Sequence, residues 1–74
     1  MERIHDASAL VDLRQIVGGE IVRAAGDVPA LRVADGVEFC NVTGDFDLWL
    51  DGELRKPGMS AHQAAEIARA AVRT

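Results

Sequence analysis

The regular spacing of turn signals in the middle of the chain constrains the fold more than any other feature of the sequence. Asp35-Gly36, Gly44-Asp45 and Asp51-Gly52 leave apolar segments of about six residues between them. Asp-Gly between two apolar runs is a strong hairpin signal, because a type I′ turn requires positive φ at both central residues. Segments of this length fit strands and are too short for typical helices. We therefore predict a three-stranded antiparallel meander over residues 30–52.

An amphipathic helix is predicted before the meander, over residues 7–17. Asp6 is a good N-cap residue, since its carboxylate can accept a hydrogen bond from a free backbone N–H. Leu10, Leu13 and Val17 follow at spacings of three and four residues. Gly18 can adopt the left-handed conformation that ends a helix.

A second helix is predicted after the meander, over residues 61–72. Ser60 and Gln63 match the capping-box pattern, and Met59 before the cap can pack against Ala64. The apolar side chains recur at helical spacing and are mostly small: Ala64, Ile67, Ala68, Ala71 and Val72. A face made of alanine allows this helix to approach a sheet closely.

The segment 20–25 contains signals for both a strand and a helix. Ile21-Val22 favours a strand, whereas Ala24-Ala25 favours a helix. Because glycines bracket only about six residues here, we prefer a strand. The prediction for residues 1–74 is one α+β domain with an N-terminal helix, three or four antiparallel strands and a C-terminal helix.

Alternation of side chains along the predicted strands makes both faces of the sheet apolar. Two-residue turns pair Ala34 with Val37 and Thr43 with Phe46, which places Cys40 opposite Trp49. One face then carries Val37, Phe39, Phe46, Leu48 and Leu50, and the other carries Leu31, Val33, Cys40, Val42 and Trp49 with Glu38, Asp47 and Asp51. We expect the two helices to cover the first face. For the second face three alternatives are open: one helix on each face, a partner chain, or a bulge that changes the count.

The sequence contains no pattern typical of a metal site or of nucleophilic catalysis. Cys40, His5 and His62 lie far apart, without the local ligand pairs of small zinc domains. A thiol enzyme that uses Cys40 with His62 is an alternative, but no third orienting residue can be named. We predict no catalytic residue, no metal and no cofactor, and we expect Cys40 to be a small buried thiol beside Trp49.

Nucleic-acid binding is a second alternative. The order of helix, sheet and helix is that of double-stranded RNA-binding domains, and the segment 58–71 resembles their last helix in outline. The resemblance implies binding of duplex RNA through basic residues at the start of that helix. Here residues 60–64 contain no lysine or arginine, and the chain has a net charge of −4. This acidic balance disfavours phosphate contacts.

The distribution of charges, the apolar runs and the ratio of lysine to arginine each indicate something about the environment of the protein. Five acids and no base lie between Glu38 and Glu53, whereas bases prevail after Leu54. No run of signal-peptide or membrane-spanning length occurs, so we expect a cytoplasmic protein that does not contact a membrane. Lys56 is the only lysine beside seven arginines, a bias typical of a high-GC genome such as that of a bacterial virus or its host.

These observations together predict a small non-catalytic protein that binds another protein or itself. A chain of 74 residues gains little stability from its core alone, and its single cysteine cannot form an internal disulfide. We therefore expect the chain to gain additional stability by self-association as a homodimer or by binding to a host protein. The predicted binding surface has Trp49 as its anchor, since tryptophan is enriched at interface hot spots. Its other residues are Leu31, Val33, Cys40 and Val42 as an apolar patch, with Asp47 and Asp51 as its charged rim.

Overall fold

The computed structural model describes residues 7–24 and 28–73, which form two helices and one antiparallel sheet. The elements are α1 (Ala7–Val17), β1 (Glu20–Ala24), β2 (Val28–Ala34), β3 (Val37–Val42), β4 (Asp45–Leu50), β5 (Glu53–Met59) and α2 (Ala61–Arg73). The strands lie side by side in chain order, and each pairs antiparallel with the next. The predicted α+β class, with a helix before and a helix after an antiparallel sheet, is confirmed.

The sheet has five strands rather than the predicted three or four. The ambiguous segment forms β1, as preferred, so the strand that the sequence reading missed is β5. Pro57, Gly58 and three charged residues argue against a strand there, and six of its seven residues are exposed. β5 is an edge strand, and proline is tolerated at an edge because one side of that strand needs no ladder hydrogen bonds.

Both helices lie where they were predicted. α1 ends at Val17, and Gly18 follows it with a φ of +82° and an N–H that donates to the carbonyl of Arg14 at 2.7 Å. At the start of α2, the Gln63 N–H donates to Ser60 Oγ at 3.2 Å and the Ser60 N–H donates to Gln63 Oε1 at 3.1 Å. These two bonds form the predicted capping box. The predicted cap Asp6 lies outside the described residues.

The turn between β3 and β4 sits one residue earlier than predicted. Thr43 and Gly44 both have positive φ, at 53° and 87°, so they form the two-residue turn in place of Gly44-Asp45. Cys40 therefore lies opposite Asp47 rather than Trp49, and Trp49 lies opposite Glu38. Because this change moves the register by two residues, every side chain of β3 and β4 keeps its predicted face.

The β2–β3 hairpin also departs from the prediction, and here the difference moves side chains to the other face of the sheet. At Asp35-Gly36 only Gly36 has positive φ, so the turn is not type I′, and the pairing is irregular between Arg32 and Ala34. Ala34 still pairs with Val37 as predicted, but Leu31 pairs with Phe39. The placement of Leu31 and Val33 on the face of Trp49 was therefore wrong, because one extra residue in β2 moves both to the opposite face.

Both helices cover one face of the sheet, as expected for the face that carries Phe39. Leu10 and Leu13 of α1 pack with the alanines of α2 on the core side chains of the strands. The buried cluster comprises Leu10, Leu13, Leu31, Phe39, Phe46, Leu48, Met59, Ala64, Ala65 and Ala68. The alternative with one helix on each face is thereby contradicted. Neither described helix has the length and apolar character needed to span a membrane.

Candidate functional site

The candidate site is the sheet face opposite the helices, which we call the outer face. Its members follow from the register and from alternation along the strands. They are Glu20, Val22, Val28, Ala30, Arg32, Glu38, Cys40, Val42, Asp45, Asp47, Trp49 and Leu54. None of them belongs to the core cluster, and no described helix packs on this face.

Trp49 lies on β4 and is half-buried on the outer face. Across the strands it faces Glu38 on one side and Leu54 on the other, and Leu54 is 47% exposed. Trp49 is the single tryptophan of the chain, which has no tyrosine. A ring in this position presents a large apolar area to anything that docks on the sheet.

Cys40 lies in the middle of the outer face and is buried although it is outside the core cluster. Its burial, together with the carboxylates of Asp47 and Glu38, raises the pKa of the thiol above its ordinary value. The thiol is therefore protonated at neutral pH, whereas a nucleophilic cysteine needs a lowered pKa. His62 is exposed on α2, on the other side of the sheet, with Nε2 2.9 Å from Glu66 Oε1. The structure does not bring Cys40 and His62 together.

The charges on the outer face are mainly acidic. Arg32 forms an ion pair with Glu38, with Nη2 3.1 Å from Oε2. Asp47 accepts a hydrogen bond from the N–H of Gly58 at 3.1 Å, and Asp45 is exposed two residues away on the same strand. Among residues 7–24 and 28–73, neither aspartate has a basic partner within ion-pair distance.

An open depression lies beside these two aspartates, at the end of the sheet where the β3–β4 turn lies. Its volume is about 300 Å³, and it is lined by Val42, Thr43, Asp45, Asp47, Pro57 and Gly58. Carboxylates form one part of the lining, and the apolar side chains of Val42 and Pro57 form another. This combination suits a long side chain with an apolar stem and a charged end.

The structure brings together four of the seven predicted binding residues. Trp49, Cys40, Val42 and Asp47 share the outer face. Leu31 is fully buried under the helices and Val33 packs against the same core, so neither lies on the outer face. Asp51 occupies the β4–β5 turn with φ of 51°, and its N–H donates to the Gly36 carbonyl at 2.8 Å.

Arg32, Leu54 and Asp45 are among the outer-face residues that were missing from the predicted binding surface. Arg32 was displaced by the unrecognised bulge in β2, and Leu54 belongs to the unrecognised strand β5. Asp45 precedes Asp47 by two residues, so alternation along β4 was a sufficient signal for it once the turn was placed at Thr43-Gly44.

Within the described part of the chain, no three His, Cys, Asp or Glu side chains lie close enough together to hold a metal ion. Comparison of the chain with models of protein families, with curated proteins and with solved structures gave no match.

Proposed function

We propose that this chain is a non-catalytic protein–protein interaction module that binds through its outer face. The observation that carries the proposal is the position of Trp49, half-buried between Glu38 and Leu54 on a face that neither described helix covers. The free face of an antiparallel sheet is ordinarily polar. Here Val22, Val42, Trp49 and Leu54 lie on it, and tryptophan is the residue type most enriched at interface hot spots.

The size and shape of the outer face also suit a protein partner. Five strands about 4.8 Å apart and about six residues long span roughly 20 by 20 Å. That area, about 400 Å² on each partner, is about half of a standard protein interface and suits a short segment or a transient contact. An enzyme site needs a pocket with perturbed catalytic groups, and the raised pKa of Cys40 is a perturbation of the wrong sign for a nucleophile. The acidic residues of the outer face repel the phosphates of a nucleic acid.

The test compares Trp49→Asp with Val11→Asp. Both variants replace an apolar side chain by an acid, but Val11 is 41% exposed on α1, far from the outer face. Light scattering over a range of concentrations measures self-association, and affinity capture from cells of the source organism measures binding to other proteins. We expect wild type and Val11→Asp to share the same associations. Trp49→Asp should lose them, while its circular dichroism spectrum remains that of a folded chain. If all three behave alike in both assays, the outer face binds no protein and the proposal fails.

A further inference from the structure

We infer that the occupant of the outer face is a positively charged, extended segment of another protein, and not a second copy of this chain. The inference rests on the proposed function and adds the chemistry of the partner. Its basis is the charge on this face and the spacing of three side chains along β4.

The charge on the outer face is uncompensated at one end. Glu38 is neutralised by Arg32 at 3.1 Å, whereas Asp45 and Asp47 have no basic partner among the described residues. Both aspartates line the open depression, together with the apolar side chains of Val42 and Pro57. An arginine or lysine fits such a site, because its stem can contact the apolar wall while its charged end meets the carboxylates.

The spacing along β4 indicates an extended partner. Asp45, Asp47 and Trp49 occupy alternate positions and therefore point to the same face, about 7 Å apart. A partner strand lying along β4 presents its own alternate side chains with the same repeat. One apolar side chain over Trp49 followed by two basic side chains at alternate positions would match all three residues.

A second copy of the chain matches this face poorly. A two-fold dimer places the same patch of each chain against itself. Face-to-face contact of two outer faces would bury two surfaces with the same sign of net charge, since each carries Glu38, Asp45 and Asp47 against the one base Arg32 among its described residues. Like charges in a buried interface are strongly unfavourable and exclude partners.

The probe for the experiment is a synthetic peptide, Thr-Leu-Thr-Arg-Thr-Arg-Thr, blocked at both ends. Its twin, with glutamate in place of each arginine, has the same length and strand propensity and the opposite charge. Binding is followed through the emission of Trp49, which reports on the outer face alone because the chain has no other tryptophan. Two variants of the chain are compared with wild type. One is the double substitution Asp45→Asn with Asp47→Asn, and the other is the matched control Asp12→Asn on α1.

We expect the arginine peptide to change the Trp49 emission and the glutamate peptide to leave it unchanged. Affinity should fall about tenfold or more between about 20 and about 200 mM salt. The double variant should bind at least about tenfold more weakly than wild type, and Asp12→Asn should bind like wild type.

Three results would overturn the inference: equal binding of both peptides, no emission change up to about 1 mM arginine peptide, or unaltered binding by the double variant. A dimer that is lost in Trp49→Asp, with no response to the arginine peptide, would make a second copy the occupant and leave the proposed function standing. The proposed function would be refuted by a different result, namely that Trp49→Asp changes no association in either assay.

Discussion

Leu48 and Trp49 are neighbours on β4, and their side chains point to opposite faces of the sheet. Leu48 pairs with Phe39 and is 7% exposed in the core beneath the helices, whereas Trp49 faces Glu38 on the outer face. A single strand thus contributes one residue to the core and the next to the candidate binding surface. Both helices pack on the first face, and neither covers the second.

Gly19 and Gly18 should differ sharply in their tolerance of alanine. Both have positive φ, at +98° and +82°, but a Cβ on Gly19 would lie 2.5 Å from the Arg32 carbonyl oxygen, whereas one on Gly18 would meet nothing within 4 Å. Gly18→Ala should lower the free energy of unfolding by about 1 kcal/mol from backbone strain alone. Gly19→Ala should lower it by at least about 1 kcal/mol more, because backbone must shift. Urea unfolding measures both, and equal losses would show that Gly19 does not approach β2 this closely.

Asn41 should be replaceable by aspartate only at low pH. Its side chain is 1% exposed, Oδ1 accepts the Gly44 N–H at 3.2 Å, and Nδ2 has no partner among the described residues. Asn41→Asp keeps the acceptor but buries a carboxyl group, whose pKa in the folded state is then raised. The expected loss in the free energy of unfolding is about 2–4 kcal/mol at pH 7.

The sign of the pH dependence follows from that raised pKa. The penalty of Asn41→Asp grows as pH rises above the unfolded value of about 4, and it vanishes below that value, where both states are protonated. Asn41→Leu is the control, with a smaller loss that does not depend on pH. Urea unfolding at pH 3 and pH 7 measures the difference, and a loss of equal size at both values would place Asn41 outside the core.

Cys40 should react slowly with iodoacetamide in the folded chain. Burial and the carboxylates of Asp47 and Glu38 raise the pKa of the thiol above 9.0, so little thiolate exists at neutral pH. The pH at which the reaction accelerates should lie higher for the folded chain than for the chain in urea. Asp47→Asn should lower the pKa and speed the reaction. A folded chain that reacts faster than the unfolded one at pH 7 would contradict this and revive the thiol-enzyme alternative.

Ser60→Ala should destabilise the whole domain through the loss of one helix cap. Ser60 Oγ accepts the Gln63 N–H at 3.2 Å, and α2 contributes Ala64 and Ala68 to the core. The expected loss in the free energy of unfolding is about 1 kcal/mol. Gln15→Ala, at an exposed position in the interior of α1, is the control and should leave stability nearly unchanged. If the two variants unfold at the same urea concentration, the capping box contributes nothing to stability.

The elements set by local chemistry could be predicted from the sequence. Helix caps, helical spacing and turn signals act over a few residues, so α1, α2 and the two hairpins of the meander were placed to within one or two residues. Alternation along β3 and β4 likewise placed Cys40, Val42, Asp47 and Trp49 together. An error of two residues in their register did no harm, because it returns each side chain to the same face.

The errors arose where distant contacts decide the structure. The irregularity in β2 lies where Gly19 approaches the backbone of Arg32 and Val33. These segments are about 13 residues apart, so no local sequence pattern predicts their contact. That irregularity moved Leu31 and Val33 into the core. β5 was missed because Pro57 and its charged neighbours have low strand propensity, and pairing with β4 overrides that propensity at an edge.

The most direct test of the account compares Trp49→Gln with Leu48→Gln by urea unfolding, followed by far-ultraviolet circular dichroism because one variant lacks the tryptophan. The account predicts that Leu48→Gln loses about 4 kcal/mol in the free energy of unfolding, since it buries an amide in the core. Trp49→Gln should lose only about 1–2 kcal/mol and remain folded, since its ring is half-exposed on a face that neither described helix covers. If Trp49→Gln is as destabilised as Leu48→Gln, Trp49 is core, and the outer face is not free to bind a partner.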